Sequence, residues 1–292
     1  MGYRVQSRDT DMVAEQVQIE LLRQKGVSGR SKLLRSLLRT NLRLSWSSLR
    51  ARRPELSHLE AFVWFVELNY GKAVAGVVGQ YLERLSKGGE WVGAEKLMIA
   101  DDLVEALEPV VAVLERLGVA YLIGGSVASS VHGITRATAD ADLVVDLRTE
   151  DVTDFVASLE SEYYVSRVAI DEALARYSSF NLVHLATSLK LDFFILKPDN
   201  FNQSSFSRVC FARLSDTSER IFRLNSPEDV VLQKLLWYRS AGGVSEKQWL
   251  DVLGVLKLQG LALERQYLEV WAESLGIKDL LNLALEEAGQ ER

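Results

Sequence analysis

Three carboxylates stand where a stable fold has little reason to put them. Asp140-Ala141-Asp142 opens the apolar stretch Leu143–Leu147, and Asp192 lies inside Leu189–Leu196, the most apolar strand-like run of the chain. Alternate residues of a strand point to the same side, so Asp140 and Asp142 project from one face. Like charges held that close repel, and a divalent cation supplies a reason to pair them. Solvation of both acids at a strand start is the plainer account of the pair taken alone. Asp192 shifts the balance, because an unpaired charge inside so apolar a strand is expensive to bury. Phe193, Phe194, Ile195 and Leu196 also argue against an exposed edge. Two carboxylates on one strand and one on another suit a two-metal phosphoryl or nucleotidyl transfer site. Oxygen ligands select magnesium, with manganese as the substitute.

Upstream, Val119–Ile123 reads as a buried strand running into Gly124-Gly125-Ser126, with a short helix, Val127–His132, after it. Glycine lets backbone approach a ligand, and a helix N-terminus offers unpaired N–H groups at the positive end of its dipole, so phosphate is the natural occupant. A tight turn without a ligand has the same sequence signature. Arg136 either neutralises phosphate or pairs with a local acid. Asp146 shares the strand parity of the acid pair but falls at the strand end, as a turn acid does. His132 and His184 read as structural, and the three histidines and one cysteine show no zinc spacing. Cys210, between Val209 and Phe211, reads as a buried inert thiol.

These residues need elements to hold them. Residues 11–51 have helical apolar spacing interrupted by Gly26 and Gly29, and Pro54 introduces a second helix running to Leu85. Lys87-Gly88-Gly89 is the best linker, which sets a domain boundary between residues 87 and 98. Asp101–Leu117 is a helix with Pro109 inside it, and Phe180–Ala186 pairs with the Asp192 strand through the turn Ala186-Thr187-Ser188. Helices follow at 227–240, 246–259 and 263–286. Ser226-Pro227-Glu228-Asp229 marks the first of these starts, and Ser245–Gln248 repeats the capping pattern. Lys234 and Asp251 both lie off the apolar stripes of their helices, so each reads as exposed unless it has a task.

The sequence of 292 residues is 48% apolar and 25% charged, which excludes a disordered chain and a small disulfide scaffold. Residues 1–53 hold twelve basic and four acidic side chains, whereas the remainder has 22 basic and 36 acidic, a net −14. The basic block, Arg23 to Arg53, suits either nucleic-acid phosphates or docking onto the acidic remainder. The aromatic second helix, with Phe62, Trp64, Phe65 and Tyr70, needs a partner surface, which the catalytic region, a second copy or another protein would provide. No stretch has the length of a membrane span or the pattern of a signal peptide, so a cytoplasmic protein is expected.

Gly124-Gly125-Ser126, Asp140-x-Asp142 and Asp192 together resemble the nucleotidyltransferase superfamily that includes DNA polymerase β. Arg136-x-Thr138, the tail Glu228–Lys234 and the later Asp251 are closer to the bacterial toxin-like AbiEii branch. The resemblance spans roughly residues 101–260. It implies an α+β fold: a minimal nucleotidyltransferase mixed sheet with flanking helices, plus N-terminal and C-terminal helical regions. The implied domains are a basic helical region of unknown role at 1–90, a core at 98–225 and a helical region at 226–292 that completes the site. A fragment starting at Met98 is expected to fold alone. The resemblance further implies that Asp140, Asp142 and Asp192 hold magnesium, with Asp192 helping to activate the acceptor hydroxyl. Gly124, Gly125, Ser126, Arg136 and Lys234 would contact the nucleotide, and Asp251 would be the late acid of the motif. The implied reaction moves a nucleoside monophosphate from an NTP to a tRNA, protein or small-molecule hydroxyl, in a toxin–antitoxin or defence setting. Two readings from other classes stand beside it: an inactive NTP-binding sensor, and an interaction module that uses the basic helices.

Overall fold

The computed structural model describes residues 2–7, 10–87, 102–136, 140–215 and 218–290. The expected linker beyond Lys87, Met98, and Thr138 of the Arg136-x-Thr138 motif lie outside the described residues. Helix α1 (Met12–Arg52) comes first, followed by α2 (His58–Tyr70), α3 (Lys72–Lys87) and α4 (Asp102–Leu117). Strand β1 (Tyr121–Ile123) runs into α5 (Gly125–His132) and then β2 (Asp140–Val145). Next come α6 (Val152–Leu159), β3 (Tyr163–Tyr164) and α7 (Arg167–Arg176). Strands β4 (Ser179–His184) and β5 (Lys190–Ile195) form the expected hairpin, and α8 (Asn200–Ser207) follows. Short strands β6 (Cys210–Ala212) and β7 (Phe222–Leu224) precede α9 (Pro227–Ser240), α10 (Glu246–Gln259), α11 (Arg265–Ser274) and α12 (Lys278–Glu287). The fold is α+β, with mixed parallel and antiparallel strands and flanking helices, as expected.

Several boundaries differ from the sequence reading, and glycine explains most of them. Gly26 (φ 62°) interrupts α1, whereas Gly29 stays helical. The second helix starts at a reciprocal Ser57/Glu60 capping box rather than at Pro54, and Gly71 (φ 84°) divides it from α3. Gly276 (φ 67°) splits the expected 263–286 helix into α11 and α12. A left-handed φ costs glycine almost nothing, so one such residue ends a helix whose apolar spacing continues on both sides. Ser226 caps α9 as expected, its hydroxyl accepting from the Asp229 N–H, but Ser245 makes no side-chain cap to α10. The helix after Gly124 begins at Gly125 rather than Val127. Pro109 sits inside α4, and Cys210 is half-buried on β6 instead of fully enclosed.

The chain forms two compact units. One comprises Met1–Leu34, Leu122–Arg136 and Lys197–Arg292; the other comprises Arg35–Tyr121 and Ala137–Leu196. The segments 1–34 and 35–87, expected as one region, thus belong to different units. In the second unit the strands run β3-β4-β5-β2, antiparallel except for the parallel β5/β2 pair. One sheet face buries Leu143, Val145, Leu191 and Phe193, and Phe180 stacks on Phe193 with ring centroids 4.9 Å apart. A second cluster joins Trp46 of α1, Phe62 and Phe65 of α2, and Val78 and Leu82 of α3 to Val183 and Leu185 at the end of β4. Each such side chain contributes about 1.5–3 kcal/mol on burial, so the aromatic N-terminal helix has its partner surface within its own unit.

In the first unit β1 pairs parallel with β7, and β7 antiparallel with β6. Helix α5 packs against α9 and α10, with α12 against α10. Ile19 and Leu22 of α1 pack on Leu258 at the end of α10. Part of the basic block is structural here. Arg23 donates to the carbonyls of Leu258 (2.9 Å) and Lys257 (2.7 Å), and buried Arg30 donates to those of Val131 (2.6 Å) and Leu22 (3.0 Å). Cations are favourable at helix C-termini, where carbonyls lack helical donors.

Candidate functional site

The expected site residues fall into two groups, one in each unit. In the second unit, the parallel register places Asp142 directly opposite Asp192 and Asp140 opposite Lys190. Opposed residues of paired strands share a face, so the three carboxylates and Lys190 project from the same side of β2 and β5. That side is the less buried one, with alternate residues of both strands half-exposed between fully buried neighbours. Strand β5 has β4 on its other side, so Asp192 sits on an interior strand, as its apolar neighbours required. Lys190 accounts for its tolerance there: Nζ lies 2.7 Å from Asp192 Oδ2. Asn181 of β4 is opposite Asp192 on the far side and is exposed.

Tyr70, at the end of α2, stands near the same carboxylates. Its phenol is pushed up to about 12, first by burial and then by the charges of Asp140 and Asp192. No sequence signal marked Tyr70 or Lys190. The first comes from a helix distant in sequence. The second has its meaning only through the register of the strands.

Three observations decide whether this face suits a divalent cation. The donors are all carboxylate oxygens, they project together, and two lie at one register level. Among the described residues, no group of three or more His, Cys, Asp or Glu side chains is gathered as a metal cage. Magnesium is commonly held by one or two carboxylates, with substrate phosphates and water completing the shell. Carboxylate oxygens are the donor type that such an open, substrate-completed site uses, and here they share the face with the Lys190 ammonium.

In the first unit, Gly124 and Gly125 are required by local geometry. Gly125 has φ 54°, and a Cβ on Gly124 would lie 3.2 Å from Asn225 Nδ2. Ser126 is buried at 3% exposure. His132, at the other end of α5, is structural as expected, its Nε2 2.8 Å from the Asn225 carbonyl oxygen. Burial lowers its imidazole to about 4, and the bond to Asn225 offsets only part of that. His184, in the second unit, is lowered to about 4 by burial against the Tyr163 ring.

Lys234 and Asp251 are not exposed. Both side chains are only 3% accessible, and Lys234 Nζ lies 2.8 Å from Asp251 Oδ2. Arg136 closes the triad with a fork to the same carboxylate, Nε to Oδ1 at 2.5 Å and Nη2 to Oδ2 at 2.7 Å. Burial alone would raise the Asp251 carboxyl; the bonds from Arg136 and Lys234 and their charges outweigh it and hold the carboxyl below the ordinary range. The off-stripe positions of Lys234 and Asp251 therefore place them toward each other, not toward water. Arg136 thus pairs with an acid, Asp251, which is one of its two expected roles.

No protein-family model matches this chain, and no curated protein does. Among solved structures it is similar to the crystal structure of an antigenic nucleotidyltransferase-like protein from Paracoccidioides brasiliensis. The identity is 20% and the TM-score 0.38, over 62% of this chain and 91% of that one. No helix among the described residues is long and apolar enough to cross a membrane.

Proposed function

We propose that this protein is a magnesium-dependent nucleotidyltransferase that moves a nucleoside monophosphate from an NTP to a hydroxyl acceptor. The observation that carries the reading is the common face of Asp140, Asp142 and Asp192, with Asp142 opposite Asp192 in the β2/β5 register. A sheet gains nothing in stability from three like charges on one face of two adjacent strands. Phosphoryl transfer gives them a use. Asp140 and Asp142 would hold the metal, which would supply positive charge against the negative charge that builds on the phosphate oxygens. Asp192 takes the proton of the acceptor hydroxyl as its oxygen bonds to the α-phosphorus, and the bond to the β-phosphate oxygen breaks to release pyrophosphate. Lys190, ion-paired to Asp192, fixes the orientation of that carboxylate. Taken by itself, the first unit offers backbone N–H groups suited to phosphate at the turn from Gly124 to Ser126 and the N-terminus of α5. Lys234, Arg136 and Asp251 support the fold around α5, α9 and α10. The sequence resemblance to the AbiEii branch and a toxin–antitoxin role belong to the same proposal.

The test supplies each of four α-labelled NTPs with magnesium to total RNA, total protein and a small-molecule fraction, beside the Asp140→Ala/Asp142→Ala variant. Label in one acceptor fraction that is absent with the variant establishes the reaction. Equal labelling by wild type and variant, or none in any fraction, overturns it.

A further inference from the structure

The second unit contains a cavity of about 350 Å³ between the C-terminal half of α1, the end of α2 and the turn joining β4 to β5. Its size falls within the range of small-ligand sites. Tyr70 lines it, as does Leu189, which directly precedes Lys190 at the start of β5. Its chemistry is specific. Trp64 and Phe65 supply flat apolar surface, Asn41 and Asn69 supply amides, and Arg52 is the one charged lining residue. The absence of a lining carboxylate disfavours a polycationic ligand. Ser188, also in the lining, is only 3% exposed, and its hydroxyl is buried without a hydrogen-bond partner among the described residues. It sits at φ 57°, a left-handed backbone uncommon for a residue with a Cβ. A buried hydroxyl left unpaired costs free energy that a ligand edge would recover.

We infer that this cavity is a subsite for an unpaired nucleobase. Bases are recognised by stacking on aromatic rings together with amide and hydroxyl contacts to their polar edges. The cavity presents both kinds of group. Arg52 would neutralise an attached phosphate, and the chain carries six arginines and no acid from residue 35 to residue 53. The base is that of a free nucleotide or of the last nucleotide of a single strand. Its link to catalysis rests on the reading of Asp140, Asp142 and Asp192 given above, whereas the binding itself does not.

The experiment measures tryptophan fluorescence of the full chain in EDTA during titration with AMP, GMP, CMP, UMP and a five-nucleotide single-stranded RNA. Trp64→Phe identifies the signal. Ser48→Phe would fill the cavity from an exposed position of α1, and Ser188→Ala removes the orphan hydroxyl without adding volume. Expected results are quenching by at least one probe, at least tenfold weaker binding in Ser48→Phe and a several-fold loss in Ser188→Ala. RNA binding without mononucleotide binding assigns the subsite to a strand end, and mononucleotide binding assigns it to a free nucleotide. No quenching by any probe overturns the inference, as does wild-type affinity in both cavity variants at an unchanged Tm. If Ser48→Phe does not fold, Ser188→Ala alone decides. Base binding without label transfer would sink the transferase reading and leave the subsite standing; transfer that survives both cavity variants unchanged, with wild-type binding, would do the reverse.

Discussion

On the second unit's sheet face, Asp140, Asp142, Asp192 and Lys190 are half-exposed, and three negative charges crowd one side of two strands. In the first unit, Arg136, Asp251 and Lys234 assemble two cations around one carboxylate, with Lys234 and Asp251 sealed from water. Their electrostatic designs are opposite. The buried triad holds its cations by direct bonds to one shared carboxylate. The sheet face instead gathers three carboxylates and Lys190 on a partly exposed surface. Ion pairs sealed from water hold the structure together; carboxylates grouped on a reachable face are where chemistry is to be sought.

The sharpest way to break that contrast is to remove the shared carboxylate of the triad. Asp251→Ala removes the carboxylate that Lys234 and Arg136 share and should destabilise the protein by about 3–5 kcal/mol. Urea unfolding would show it, and a loss below 1 kcal/mol would mean that Asp251 does not hold the two cations as described. Asp140→Ala/Asp142→Ala should behave in the opposite way. Label transfer should fall at least 100-fold, about 3 kcal/mol on the barrier, while the unfolding midpoint stays level or rises.

The two buried histidines test both units by pH. Each is lowered to about 4, below an unfolded value of about 6.5. Between those values the unfolded chain binds protons that the folded chain does not. Stability is therefore full above about pH 6.5 and falls as pH drops toward 4, by up to about 3 kcal/mol per histidine. Unfolding measured from pH 4 to 7 should show this slope, and His184→Asn should remove about half of it. Asp251 has the other window: its folded carboxyl lies below the ordinary range, so its contribution persists above that range and disappears only in stronger acid. The smallest effect belongs to Lys190→Gln. Its ion pair with Asp192 is partly exposed and should matter by less than about 1 kcal/mol to stability. Label transfer should nonetheless drop, and an unchanged rate would remove Lys190 from the positioning role.

The sequence displays these regions unequally. Strand β5 and its partner β4 are legible because their apolar runs and the turn at Ala186-Thr187-Ser188 are local signals. Asp140 and Asp142 are legible through strand parity. The alignment of Asp142 with Asp192 is a long-range register between β2 and β5, which spacing within either strand does not encode. Strands β3, β6 and β7 are two or three residues long, too short to show a period. Lys234 looked exposed because its partners, Asp251 and Arg136, come from elsewhere in the chain. The cavity beside Tyr70 combines α1, α2 and the β4–β5 turn, so no single segment announces it.

The chain passes between its two units at residues 34/35, 121/122, 136/137 and 196/197. Neither unit is one uninterrupted stretch of sequence, so no single cut of the gene releases either of them whole. Deleting residues 1–90 would take the start of α1 from one unit and the rest of α1, with α2 and α3, from the other. It would also strip the cover from Val183 and Leu185 on the hairpin that carries Asp192. From residue 35 onward the N-terminal helices are therefore part of the same compact unit as the carboxylate strands, not an addition to it. They and the carboxylate strands have to be inherited together.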